Sequence, residues 1–141
     1  MVIRYLCELA EKTLEAFAEL LETAFEMEAT LATLTADCVF EDVPTGEVHR
    51  GHAAVRAYYD EWWSAFGNVP SRSRLYVPSG DCMIVETRFV GRHRGNYRGI
   101  AATGSPIDLP VAIFISFRDG LMSGERFYYD RATLLSQIGT R

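Results

Sequence analysis

Residues Pro106 to Phe117 form an almost unbroken apolar run, too rich in Ile, Val and Phe and too poor in helix formers to be anything but a strand. Its composition predicts burial on both faces. Arg118-Asp119-Gly120 then turns the chain, because Gly takes positive φ without a Cβ clash and Asp tolerates it better than most residues. The returning strand runs from Leu121 to Asp130. A period of two places Leu121, Ser123, Glu125, Phe127 and Tyr129 on one face, with Met122, Gly124, Arg126, Tyr128 and Asp130 on the other. So many ionisable and aromatic side chains exceed what a core strand needs, and the strand is expected either to line a cavity or to present a solvated face. Arg131 to Ile138 reads as a short closing helix, capped by Asp130 and stopped at Gly139.

The rest of the chain supplies what covers this hairpin. Leu6, Leu9, Leu14, Phe17, Leu21 and Phe25 recur at helical spacing against a Glu-rich opposite side, which predicts a long amphipathic helix of about six turns. A shorter helix follows from about Glu26 to Leu34. Cys38 to Asp42 reads as a short strand running into the loop Val43-Pro44-Thr45-Gly46. A third helix starts at Gly51, and its heavily aromatic face of Tyr58, Tyr59, Trp62, Trp63 and Phe66 suits packing on a sheet or contact with a ligand. Ser73 to Val77 and Cys82 to Arg92 are the next strands, with Met83, Val85, Thr87 and Phe89 alternating against Ile84, Glu86, Arg88 and Val90. Helices first and an antiparallel meander after them predict an α+β domain spanning residues 1–141 as one unit, its curved sheet leaving a conical cavity.

Composition excludes several functions. A net charge of −5 is the wrong sign for a nucleic-acid footprint. Cys7, Cys38 and Cys82 are odd in number and lack metal-ligand spacing, so they read as free thiols in a reducing, cytoplasmic compartment. Glu8, Glu11 and Lys12 interrupt the apolar character of the first residues, which argues against a signal peptide or a membrane span. His49, His52 and His93 are not grouped with carboxylates, so no metal is expected, and no Gly-rich phosphate loop or other cofactor signal is present. His49 and His52 read as structural or surface residues.

The segment Gly91-Arg92-His93-Arg94-Gly95, continuing through Gly99 to Thr103-Gly104, resembles the loop of SnoaL-like polyketide cyclases, with Ala102 where that family carries Pro. Tyr128 to Asp130 and Leu134 to Gly139 match the family's closing segment. Phe40 to Gly46 and Arg50 to Tyr59 are similar to the wider superfamily of ketosteroid isomerases, limonene-epoxide hydrolases and nuclear transport factor two. The resemblance implies a cone-shaped α+β barrel around the long N-terminal helix, a homodimer paired through the outer sheet face, and an apolar small molecule as partner rather than nucleic acid or membrane.

The resemblance also implies site residues. Phe127 stands where the cyclases and epoxide hydrolases hold an acid/base Asp, and Ile113 where cyclases have His and isomerases Asp. Asp42 falls at the general-base position of the isomerases. A carboxylate at the mouth of an apolar cavity suits proton abstraction beside a carbonyl, whereas Glu41-Asp42 before a Pro loop also fits a solvated turn. His93, the family's loop His, either moves protons or pins its loop. If Phe127 faces the cavity, Glu125 and Tyr129 share its face, making Glu125 a second pocket carboxylate, a partner for Tyr129, or the mate of an Arg such as Arg88. Phe40, Tyr58, Trp62 and Phe89 are expected to contact substrate together with Ile113, Phe127 and Tyr129.

The expected function is a cofactor-independent cyclase or isomerase for a carbonyl-bearing or polyketide-like molecule. A binding domain that has lost its catalytic groups and a scaffold for epoxide opening or hydroxylation are the alternatives.

Overall fold

The computed structural model describes residues 27–67 and 72–139. The long helix expected over Leu6 to Phe25, and Cys7 with it, lies outside the described residues. The elements are α1 (Met27–Ala32), β1 (Leu34–Asp42), β2 (Glu47–Arg50), α2 (Gly51–Phe66), β3 (Arg72–Ser79), β4 (Cys82–Arg92), β5 (Pro106–Arg118), β6 (Leu121–Tyr129) and α3 (Arg131–Gln137).

Six strands form one sheet in the order β2-β1-β6-β5-β4-β3. All neighbours are antiparallel except β1 and β6, which run parallel. The two ends of that order, β2 and β3, do not pair, so the expected barrel is a curved, unclosed mixed sheet in an α+β architecture. The parallel contact has a physical origin. The chain leaves β1, crosses α2 and the meander, and returns as β6, a crossover long enough to permit parallel pairing.

Alternation sets the inner face. Met83, Val85 and Thr87 of β4 are buried, as the period of two predicts, and so are Ile107, Leu109 and Ile115 of β5. The β5 run is not buried on both faces, however. Pro106, Asp108, Pro110 and Ser116 are exposed, and Phe114 is half-buried against Tyr128, because nothing among the described residues covers the outer side. The hairpin turn is as expected, with Asp119 at φ 53° and Gly120 at φ 78°.

On β6 the simple alternation breaks. Pairing passes from Ser116 opposite Gly124 to Phe117 opposite Met122, a bulge at Ser123. The extra residue moves Met122 into the core and leaves Leu121 exposed, the reverse of the unbroken period. From Glu125 onward the expected phase is kept. Asp130 caps α3 as predicted, accepting from the Ala132 amide at 3.0 Å and the Thr133 hydroxyl at 2.6 Å.

The core falls into two clusters. One joins Leu31, Leu34, Cys38 and Phe40 to Val55 and Tyr58 of α2 and to Met83, Val85 and Ile115. The other joins Ala65 and Phe66 to Tyr97, Ile107, Leu109, Leu134 and Ile138. Trp62 lies against both.

Candidate functional site

The alternation of β1 sends Cys38, Phe40 and Asp42 inward, all three with no exposed surface. Asp42 is therefore a buried carboxylate rather than part of a solvated turn. Burying such a group costs several kcal/mol unless its lone pairs are satisfied. Two hydroxyls satisfy them. Tyr58 of α2 donates to Oδ2 at 3.1 Å, and Tyr129 of β6 sits within 3.0 Å of Oδ1 and 2.9 Å of Oδ2. The Thr45 amide adds a longer contact of 3.3 Å to Oδ1.

Both tyrosines keep their protons. Burial pushes the Tyr58 hydroxyl far above its ordinary value, and the charge of Asp42 adds to the effect. Tyr129 is raised for the same first reason, with Tyr97 and Asp42 contributing. Each phenol is thus a donor that holds a carboxylate in place, and neither is a base. The expectation that Tyr129 partners Glu125 is corrected: its hydroxyl goes to Asp42, because β1 lies beside β6 and residue 42 is level with residue 127.

Glu125 is buried too, opposite Phe40 on β1 and Ile115 on β5. The proposed pairing with Arg88 does not form, since Arg88 lies on the outer face and binds Asp108 at 2.7 Å. With no ion pair among the described residues to offset its loss of water, the Glu125 carboxyl is pushed up to about 8 by burial. Tyr59 is raised well above its usual value, first by its own burial and then by the charge of Glu125. The two inward carboxyls lie on adjacent strands offset by two residues, so a strand spacing of ~4.8 Å and a rise of ~6.6 Å separate their Cα atoms by about 8 Å.

Aromatic rings fill the space around them. Phe127 contacts Phe40 at 5.7 Å and Tyr58 at 5.6 Å between ring centroids. Trp62 contacts Tyr58, Tyr129 and Phe89 at 6.3, 5.6 and 5.5 Å. Its indole N–H is buried without a hydrogen-bond partner among the described residues. Ile113 pairs across the ladder with Phe127, and both pack on the first core cluster. Phe40, Tyr58, Trp62, Ile113, Phe127 and Tyr129 are therefore brought together, while Phe89 belongs to the second cluster and meets them through Trp62.

His93 is placed elsewhere in the network. It is fully buried, its Nδ1 accepts from the Thr103 amide at 3.3 Å with the Thr103 hydroxyl at 3.0 Å, and its ring packs on Phe66. Its backbone N–H donates to Ser105 and its carbonyl accepts from Gly104. These contacts pin the loop. Two residues on, the amides of Arg94 and Gly95 donate to the Ala65 carbonyl at 2.8 and 3.0 Å, and a Cβ on Gly95 would come within 2.1 Å of the Ser64 carbonyl oxygen. The His-x-Gly spacing thus docks the loop on the C-terminal turn of α2. His52 is likewise structural, its Nε2 lying 3.3 and 3.1 Å from the carbonyl oxygens of Leu34 and Thr35.

A cleft of about 450 Å³ opens beside Tyr58, lined by Glu47, His49, Ala57, Glu61 and Arg98. Arg98 donates to Glu47 at 2.6 Å and to both oxygens of Glu61 at 3.2 and 3.3 Å. Burial works against its charge, but these two carboxylates more than offset that and hold the guanidinium ionised. The His49 ring packs at a tilt of 35° on that of Tyr58, with centroids 4.6 Å apart. Tyr97, Arg98, Glu47 and Glu61 carried no sequence signal beyond a Tyr-Arg step between loop glycines. Among the described residues no group of three or more His, Cys, Asp or Glu is arranged to hold a metal. No helix there is long and apolar enough to cross a membrane.

The chain's resemblances fit this geometry. No curated protein matches it. Among solved structures, a candidate SnoaL-like polyketide cyclase from Jannaschia sp. superposes with a TM-score of 0.84 at 16% identity, over 95% of this chain and 94% of that one. A candidate polyketide cyclase from Xanthomonas campestris gives 0.77 at 22% identity, over 94% and 98%. A hypothetical protein from Catenulispora acidiphila with a ketosteroid isomerase-like fold gives 0.73 at 18%, over 91% and 92%. The sequence profile described as SnoaL-like polyketide cyclase matches residues 11–138, and the chain belongs to that family.

Proposed function

We propose that the protein is a cofactor-independent acid/base enzyme that acts on an apolar, carbonyl-bearing small molecule, of the cyclase or isomerase type. The observation that carries this reading is the pair of inward carboxyls in opposite environments. Asp42 accepts hydrogen bonds from two tyrosine hydroxyls and the Thr45 amide, whereas burial pushes the Glu125 carboxyl up. An acceptor held by three donors and a second carboxyl kept neutral by burial suit the roles of base and acid.

In the proposed step Asp42 takes a proton from the carbon next to a carbonyl, and the Glu125 carboxyl donates its proton to the carbonyl oxygen, giving an enol. The enol carbon then attacks a second carbonyl in the same molecule, closing a ring, or is protonated at another carbon, giving an isomer. Both protons return in the second half, so no co-reactant is consumed. Phe40, Tyr58, Trp62, Phe127 and Ile113 form the walls, with Phe89 behind Trp62. Tyr129 and Tyr58 aim the carboxylate. His93 serves the loop in this scheme.

The test is deuterium wash-in at the α-carbon of apolar ketones such as 1-tetralone in D2O, followed by proton NMR. Asp42→Asn should slow enzyme-dependent exchange by about 100-fold or more. Exchange unchanged by that substitution across the accepted ketones would overturn the assignment.

A second reading has its own support. Phe127 and Ile113 face each other across the β5/β6 ladder at the positions where the resemblance implies acid/base groups, which favours a binding domain for an apolar molecule. On this reading a ligand binds equally well to Asp42→Asn and no exchange occurs. The exposed apolar side chains of the outer sheet face, Leu75, Val77, Val90 and Tyr128, support a homodimer through that face, which light scattering in solution checks.

A further inference from the structure

Arg98 sits outside the ring of residues that touch Asp42, yet its ion pairs join β2, the strand paired with that of Asp42, to α2, the helix that carries Tyr58. Glu47 is the cross-strand partner of Asp42 itself, the last pair of the β1/β2 ladder. Glu61 lies three residues after Tyr58 on α2, and hence on the same side of the helix. One guanidinium therefore spans from the strand pair that carries the carboxylate to the helix that carries its donor. The residue before it, Tyr97, is fully buried, with its ring 5.7 Å from that of Trp62.

The local backbone is shaped to deliver this contact. Tyr97 and Ile100 exchange both backbone hydrogen bonds at 2.9 Å, closing a two-residue turn in which Arg98 has φ 49° and Gly99 φ 85°. An Arg in the left-handed region is strained, and such strain persists where surrounding contacts over-determine it. Here the over-determining contacts are the ion pairs to Glu47 and Glu61. Their side chains are 23% exposed for Arg98, 43% for Glu47 and 33% for Glu61, so the clamp is partly shielded from solvent rather than a loose surface pair.

We propose that Arg98 is a positioning residue for Asp42: by tying Glu47 to Glu61 across the cleft, it fixes the separation between β1 and α2 at which the Tyr58 hydroxyl reaches the carboxylate that Tyr129 holds from β6. The inference rests on the reading of Asp42 as the working carboxylate, but it is tested without turnover. Arg98 touches no reacting atom in this scheme. It acts through Glu47, Glu61 and Tyr58.

The experiment uses the full chain with tyrosine 13C-labelled at Cζ, a carbon that reports the hydrogen bond of its own hydroxyl. Asp42→Asn calibrates the readout by moving the Tyr58 and Tyr129 signals. Arg98→Gln should move the Tyr58 signal in the same direction, and the Tyr129 signal less, through the carboxylate they share, with Tyr59, Tyr76 and Tyr128 nearly unchanged, and Arg98→Lys should restore part of the wild-type position. Glu61→Gln removes one arm only and should move Tyr58 more than Tyr129, which keeps the test available if Arg98→Gln fails to fold. A drop in melting temperature with the Tyr58 and Tyr129 signals left in place would overturn the proposal and make the clamp merely structural. If the signals move as expected while Asp42→Asn leaves deuterium wash-in unchanged, the catalytic reading fails and the positioning role stands.

Discussion

Glu125 makes the folded state sensitive to alkali in a way that can be worked from its surroundings. Burial raises its carboxyl from 4.5 to about 8, so the folded protein holds this proton more tightly than the unfolded chain does. The folded state then binds the extra proton over the window between those two values, and stability falls as pH rises through it. The benefit of a neutral Glu125 is complete below about pH 4.5 and is lost progressively as pH climbs toward and past about 8. At 1.36 kcal/mol per pH unit, the gap from 4.5 corresponds to about 3 kcal/mol at pH 7 and about 5 kcal/mol well above pH 8. Those amounts rival a typical total stability of ~5–15 kcal/mol. Glu125→Gln keeps the shape and removes the ionisation. Urea unfolding of both proteins at about pH 6 and about pH 9 should show the natural chain losing about 3 kcal/mol more than the variant across that interval. Equal losses in the two proteins would mean that water or a polar group reaches the carboxyl, and the assignment of Glu125 as a neutral acid at pH 7 would fall with it.

Other substitutions follow from the packing. Gly95→Ala drives a Cβ to 2.1 Å from the Ser64 carbonyl oxygen, backbone that cannot swing away, and should cost about 2–3 kcal/mol in denaturant unfolding. Phe40→Ala removes a fully buried ring that contacts Tyr59 and Phe127, and a loss of about 3–5 kcal/mol is expected. Asp130→Ala deletes the cap of α3 and should lower stability by about 1 kcal/mol, read as a fall in melting temperature. Arg88→Ala breaks an exposed pair with Asp108 and should change stability by less than about 1 kcal/mol.

The parts of the fold that were legible are those whose side chains obey one period over a long stretch. β4 is bounded correctly at Cys82 and Arg92 because Met83, Val85, Thr87 and Phe89 alternate with a set, Ile84, Glu86, Arg88 and Val90, that carries the charges. α2 was found from its aromatic face and the glycine at its start. β2 went unseen: it is four residues long, and its one aliphatic residue, Val48, is 47% exposed. The first half of β1 is missed, with Leu34 read as the end of the preceding helix and the strand begun only at Cys38, since Ala36 and Asp37 are exposed and break the apolar pattern. The inversion of Leu121 and Met122 came from a bulge, which a strict period of two cannot express.

The site was legible residue by residue and illegible as a set of contacts. Asp42, Tyr58 and Tyr129 are each singled out, but the hydrogen bonds that join them span 16 and 87 positions and exist because α2 packs on β1 and because β6 lies beside β1 in parallel. The same neighbourhood gives a physical account of Phe127 on the proposed reading. A side chain two residues along a strand stays on the same face and moves by only ~6.6 Å. Glu125 precedes Phe127 by two residues and is as deeply enclosed as the residues around it, so a carboxyl absent from one pleat is present on the next. Placed there it loses the hydroxyl donors that surround Asp42 and gains Phe40 and Ile115 as neighbours. That exchange of surroundings is what keeps it protonated at pH 7 rather than a second carboxylate, and on the proposed reading two carboxyl residues whose Cα atoms lie about 8 Å apart suit a substrate whose carbonyl oxygen and α-hydrogen face different strands.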